Sequence, residues 1–301
     1  LRYALAQSRN VVAVKLAQEI GIEKIVEYAH RMGVTAPLDP TLSLALGSSG
    51  VSPLDQASGF ATLANQGVHI PPSPIRLVRD ALGSPVLDNT YPQQSEVISA
   101  GVAYVVTSML QSVIKEGTGS PNAEIGRPAA GKTGTTSSFR DAWFVGYTPD
   151  LVAAVWIGND DYSRMNESYG GNIPARIWAR FMKKSLEKVK PRDFVLPVGE
   201  VHKVRLCSTG KDEVFLTGTE PARSCGTPDD TTTPRAPRHA AIPAPAAAAI
   251  PIAKAASPRT PPSVAPVTTP PDVIGDGQTF VRLDSEPTRA PAAPVPSPKT
   301  P

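Results

Sequence analysis

Cysteine is nearly absent from the 301-residue chain, which has only Cys207 and Cys225. Two cysteines do not make a zinc site, and no histidine stands beside them at ligand spacing; His202 is isolated. In a reducing compartment they are inert thiols; in an oxidising one they can close a modest loop. An excess of either charge is also absent. Thirty Lys and Arg face 27 Asp and Glu, a formal net charge of +3. Nucleic-acid binding is not expected, because it needs clustered cations to neutralise phosphate. Long apolar runs are missing too: no uninterrupted stretch reaches bilayer-crossing length. No signal-peptide pattern opens the chain, which starts at Leu1 rather than Met, and helical patterning begins at once. The expectation is a fragment lacking an N-terminal portion. No motif for a metal or an organic cofactor stands out, and none is expected.

What the chain has in abundance is proline. Residues 227–301 hold 18 of the 33 prolines together with 15 alanines. Such a composition cannot bury enough apolar surface to offset the entropy of ordering it. The expectation is a disordered or polyproline-like tail over 227–301, a small extension over 201–226 and one substantial folded domain over 1–200.

Within 1–200 the patterning is helical first. Residues 11–32 carry apolar positions at three-four spacing, with Gly21 dividing them into two helices and Gly33 capping the second. Ser52-Pro53 reads as an N-cap followed by a first-turn proline, opening a helix that closes at Gly67. Short strands are predicted at 75–80 and at Pro85–Asp88, then a long amphipathic helix from Ser95 to Glu116. Three strands follow, at 131–136, 141–148 and 151–160, the last two joined by a Pro149-Asp150 turn. Gly170-Gly171 precedes a closing helix over 173–189. Helices, then a meander, then a helix give an α+β order with an antiparallel sheet.

The strongest local signal is Lys132-Thr133-Gly134-Thr135-Thr136. On a strand, Lys132, Gly134 and Thr136 share one face, with Thr133 and Thr135 on the other. Gly134 allows close approach to the backbone, and the cation and hydroxyls suit a carboxylate ligand. The same region satisfies a P-loop pattern literally from Gly126 to Thr133. The context argues against it: a strand-like run follows where a P-loop needs a helix, and Pro128 removes one N–H from the cradle. A second signal is Ser8-Arg9-Asn10, which reads either as a helix cap or as a hydroxyl and a carboxamide facing one cleft.

Taken together, S-x-N and a downstream K-T-G resemble the motifs of the penicillin-recognising serine acyltransferases. Blocks 44–78, 107–119, 130–161 and 170–182 resemble class A, bifunctional penicillin-binding proteins, so the likeness spans residues 1–200. The resemblance implies the C-terminal part of a penicillin-binding-protein/β-lactamase-like transpeptidase fold. It implies a serine acyl-enzyme that takes a D-Ala-D-Ala donor stem peptide of peptidoglycan and passes it to an amine acceptor, with β-lactams as inhibitors of the intact parent. Carried over by motif, Lys132 supplies positive potential to the donor carboxylate, and Thr133 and Thr135 hydrogen-bond it around Gly134. Ser8 relays protons, Asn10 orients a general-base lysine and binds a substrate amide, and Thr136 joins the substrate-binding set one layer back from the ligand. The resemblance further implies a Cys207–Cys225 disulfide, a location at the periplasmic face of the bacterial inner membrane, and a membrane anchor lying upstream.

One departure stands out. In that family the S-x-x-K of the nucleophile precedes S-x-N, but the seven residues before Ser8 contain no serine. Ser112–Lys115 and Ser185–Lys188 match the pattern in the wrong order and read as solvated helix faces. The chain alone is therefore expected to be inactive. A D,D-carboxypeptidase, another penicillin-recognising hydrolase and a non-catalytic cell-wall scaffold remain as alternatives. The four aromatics Phe139, Trp143, Phe144 and Tyr147 are expected to be core, and Arg140 and Asp141 to form a surface ion pair.

Overall fold

The computed structural model describes residues 1–207 and 209–221, all within one unit, Leu1–Thr233. Both the tail expected at 227–301 and Cys225, the expected partner of Cys207, lie outside the described residues.

Helix α1 (Arg2–Ala6) is followed by a break at Gln7-Ser8-Arg9 and then α2 (Asn10–Ile20) and α3 (Ile22–Arg31). Gly21 separates the last two at φ 94°, a conformation that disfavours any side chain, which explains why it divides the apolar pattern. After a 3-10 turn (Leu42–Leu46) comes α4 (Pro53–Ala64). Ser52 and Asp55 close a reciprocal capping box at its start, and Pro53 occupies the first turn, where its missing N–H costs nothing.

Strands β1 (Val68–His69), β2 (Leu77–Arg79), β3 (Pro85–Asp88) and β4 (Ser95–Glu96) form two small antiparallel pairs, β1 with β4 and β2 with β3. Helix α5 (Ala100–Lys115) starts later than the periodicity suggests, because Ser95 and Glu96 pair with β1 and Ser99 supplies the cap to Val102 N–H.

The central sheet is β5 (Ala130–Thr135), β6 (Asp141–Tyr147) and β7 (Val152–Gly158), antiparallel in chain order. No helix follows β5, so the P-loop match is a coincidence of spacing. Helix α6 (Ile173–Ser185) covers one sheet face through Trp178 and Met182, which pack with Phe144 together with Leu186 just past the helix end. The Phe144 and Trp178 rings lie 5.0 Å apart, and Trp178 donates to Gly146 O at 3.1 Å. Helices α4 and α5 cover the other face, where Tyr147 meets Val113, Phe60 and Phe194. With both faces covered, β6 buries four consecutive residues, Phe144 to Tyr147, instead of alternating. Each fully buried large side chain there contributes about 1.5–3 kcal/mol of transfer free energy.

Helix α6 ends at Ser185, short of the expected 189. Arg127 Nη2 donates to Leu186 O at 3.0 Å and Val189 O at 2.8 Å, so its guanidinium takes carbonyls that a longer helix would have left unpaired. Strands β8 (Val201–Arg205) and β9 (Asp212–Leu216) form a hairpin against α5. Glu200 Oε2 accepts from Gly101 N–H at 2.7 Å, and Glu213 is bonded to Arg2 of α1. Among the described residues no helix is long and apolar enough to cross a membrane.

Candidate active site

The site begins with a strained residue. Ser8 has φ 51°, in the left-handed region that a serine rarely adopts, and its backbone N–H is held by Leu5 O at 3.1 Å. The residue at the N-cap of α2 is Arg9, without a side-chain cap bond, so the Ser8 hydroxyl is not a helix cap. It accepts instead from Lys132 Nζ at 2.9 Å.

Lys132 sits on β5, an edge of the sheet, paired opposite Val145. Its ammonium also donates to Thr133 O at 2.9 Å. Burial pushes its pKa down to about 8 from an ordinary 10.5. Thr133 and Thr135, on the opposite strand face, line a cleft of about 340 Å³ with Ser8, Thr118, Tyr169 and Gly171. A convergent set of hydroxyls thus borders a single opening, one of them bonded to the Lys132 ammonium, an arrangement that can bind an anionic or acceptor-rich group.

The remaining candidates are placed differently. Asn10 opens α2, is exposed, and makes no side-chain hydrogen bond among the described residues. Gly134 does not open onto the cleft: a side chain there would meet the Cβ of Trp143 at 3.2 Å. Its small size serves Trp143, and it is the small size of Gly170 that lets the passing loop approach, since a Cβ added there would lie 2.7 Å from Gly134 O. Thr136 does not join the cleft either. Its Oγ1 accepts from the N–H groups of Arg140 and Asp141, both at 2.9 Å, and so caps the β5–β6 turn.

Neither S-x-x-K match reaches the cleft. Ser112 is buried, not solvated as expected, and its Oγ accepts from Arg2 Nη1 at 3.1 Å. Ser185 ends α6 and is exposed. Of the four aromatics, Phe144 and Tyr147 are fully buried, whereas Trp143 is partly exposed beside Trp156 and Phe139 lies under Arg164. Arg140 and Asp141 form no ion pair with each other. Arg140 stacks on Tyr162, and Asp141 accepts from Trp156 Nε1 at 3.0 Å, because the strand register sets Asp141 opposite Gly158, two residues from Trp156.

Sequence reasoning passed over Thr118, Tyr169, Gly170 and Gly171 as site residues. Gly170 N donates to Thr135 Oγ1 at 3.0 Å, and Thr118 Oγ1 lies 2.6 Å from Thr133 Oγ1. The available signals were a hydroxyl between two glycines after α5 and a glycine pair before α6.

The penicillin-binding protein transpeptidase domain family matches residues 1–183. The chain belongs to that family. Among its relatives is penicillin-binding protein 1A of Aquifex aeolicus, 36% identical over 235 residues, which cover 75% of this chain and 32% of that protein. Another is penicillin-binding protein 2D of Bacillus subtilis, 34% identical over 75% of this chain and 35% of that protein. The chain thus spans about a third of the length of these relatives. In crystal structures, penicillin-binding protein 1A of Haemophilus influenzae superposes with a TM-score of 0.67 at 27% identity, covering 74% of this chain and 40% of that one. PonA1 of Mycobacterium tuberculosis, solved in complex with penicillin V, superposes with a TM-score of 0.59 at 27% identity, over 66% of this chain and 59% of that one. The penicillin-binding protein fold, α+β with its antiparallel sheet between helices, is therefore the fold of this chain.

Proposed function

We propose that this chain is the C-terminal part of a peptidoglycan D,D-transpeptidase in which Ser8, Lys132, Thr133 and Thr135 bind the donor stem peptide. The observation that carries the reading is the bond from Lys132 to Ser8, one of the hydroxyls that line the cleft, in a chain of this family. The nucleophilic serine comes from a part of the polypeptide preceding Leu1. Its Oγ attacks the carbonyl carbon of the penultimate D-Ala, forming an ester as the terminal D-Ala leaves with a proton on its amine. An acceptor amine then attacks the ester, forming the cross-linking amide and returning the serine to its hydroxyl.

In this scheme Lys132 and the two threonines hold the terminal carboxylate, and β-lactams enter as donor mimics through theirs. Ser8, bonded to Lys132, passes a proton toward the departing amine. Asn10, exposed at the start of α2, meets the upstream lysine of the nucleophile motif and a substrate amide. The reaction belongs to the periplasmic face of the inner membrane, with the polypeptide anchored by an upstream segment.

Intact mass after benzylpenicillin treatment tests this, on the present chain and on a polypeptide extended upstream. An adduct on the longer protein only is the expected result. An adduct on the present chain would assign the nucleophile to a serine within it. Absence of an adduct on both would turn the reading toward a non-catalytic cell-wall protein.

A further inference from the structure

A hydroxyl carries one proton to give and two lone pairs that accept. Applied to the cleft, this rule divides the hydroxyls sharply. Thr135 Oγ1 accepts from Gly170 N–H at 3.0 Å, and that backbone group can only donate. Ser8 Oγ accepts from Lys132 Nζ at 2.9 Å, and an ammonium can only donate. Each of these hydroxyls therefore keeps its own proton free for a ligand. Thr133 is the third, and its neighbour at 2.6 Å is the Thr118 hydroxyl.

Thr118 is held in place from two sides. Its N–H donates to Ala6 O at 3.0 Å, and Gln7 Nε2 donates to Glu116 O at 3.0 Å, fixing the segment after α5 to the segment that carries Ser8. Across the cleft, Gly171 passes so close that an added Cβ would run into Thr118 O. A residue with no contact to the reacting atoms thus touches all three pieces of the cleft wall.

We infer that Thr118 is a positioning residue: its hydroxyl donates to Thr133 Oγ1, so that Ser8, Thr133 and Thr135 all present protons to the cleft and select a ligand with a free carboxylate. The chain Thr118–Thr133–carboxylate is a run of hydrogen bonds in one direction, each strengthening the next. A ligand ester offers weaker acceptors and no charge, and gains much less from it. The inference rests on the transpeptidase reading for the identity of the ligand.

The test compares benzylpenicillin with its methyl ester on the intact polypeptide, wild type against Thr118→Val and Thr118→Ser. Valine keeps the shape and removes the donor. Thr118→Val is expected to slow acylation by the acid about 2–10-fold, the size of a lost hydrogen bond between neutral hydroxyls, and to leave the ester nearly unchanged. Thr118→Ser restores most of the acid rate. Equal slowing of acid and ester would mean that Thr118 only packs, and would overturn the inference, as would an unchanged acid rate. A wild-type protein that forms no adduct overturns the transpeptidase reading instead. The inference is then read from NMR titration with N-acetyl-D-Ala-D-Ala and its methyl ester. Loss of the preference for the acid in Thr118→Val supports it; a retained preference, or no binding to the wild type, overturns it.

Discussion

Lys132 Nζ and Ser8 Oγ lie 2.9 Å apart although 124 positions separate them in the chain. Burial pushes the Lys132 pKa down to about 8, so the ammonium that would meet a carboxylate is present below that pH and lost above it. Binding of a carboxylate ligand should therefore weaken as pH rises through about 8. The Lys132→Met variant should bind weakly and without this pH limb, as titration calorimetry across pH 6.5–9.5 would report. Stability runs the other way. Between about 8 and the ordinary 10.5 the unfolded chain holds the proton that the folded one has lost, so folding gains as pH rises across that window. Denaturant unfolding of wild type and Lys132→Met should differ in slope there and nowhere else.

Asp55 is buried, and its carboxylate accepts from Ser52 Oγ at 2.6 Å and from Thr35 N–H at 2.7 Å. The Ser52 hydroxyl first, then the Thr35 backbone, hold its pKa well below the ordinary 3.8. Its contribution to stability is full above about pH 4 and is lost as pH falls below that value. Asp55→Ala should cost about 1–3 kcal/mol at neutral pH by leaving donors unmatched. An acid titration of stability that kept the same limb in Asp55→Asn would speak against the assignment.

Gly170→Ala should damage the site through the backbone. The added methyl would meet Trp143 O as well as Gly134 N and O, with Gly134 N at 2.9 Å, and none of these is the end of a flexible side chain. Overpacking of this kind costs about 1–3 kcal/mol. A drop in melting temperature together with reduced β-lactam acylation of the polypeptide extended upstream is expected, and wild-type behaviour in both assays would show that the loop yields.

Tyr147 is fully buried, and its phenol shares a 2.8 Å hydrogen bond with Thr107 Oγ1. Burial pushes the phenol pKa up, so it stays neutral across the working range of the protein. Thr107→Val should destabilise by about 1–3 kcal/mol, since it strands a buried hydroxyl. Thr107→Val with Tyr147→Phe should recover part of that loss. A double-mutant cycle by urea unfolding measures the coupling, and strict additivity would refute it.

The sheet and the helices around it were legible because their signals are local: Gly21 as a break, Ser52-Pro53 as a start, three strand runs around one turn. Ser8, Lys132, Thr133 and Thr135 were legible as motifs. The others were not, for a physical reason. Thr136 has the same hydroxyl as Thr135, and only the closing geometry of the β5–β6 turn sends it to backbone N–H groups instead of the cleft. Ser112 reads as an exposed helix position until Arg2 folds over it. Thr118 carries no motif, and its contacts to Thr133 and Ala6 exist only where separate segments of the chain meet.

Arg2 reaches Glu213 and Ser108 in the same structure, a contact that spans 211 positions and ties the helix just before Ser8 to the β8–β9 hairpin. During synthesis the chain emerges in order, so Ser8 leaves the ribosome long before Lys132, and Lys132 long before Glu213. Such distant pairings form last and fold slowly. The anchorage of the helix before Ser8 is therefore complete only when the hairpin has emerged, and a nascent chain halted before that point holds this helix through α5 without its last ion pair.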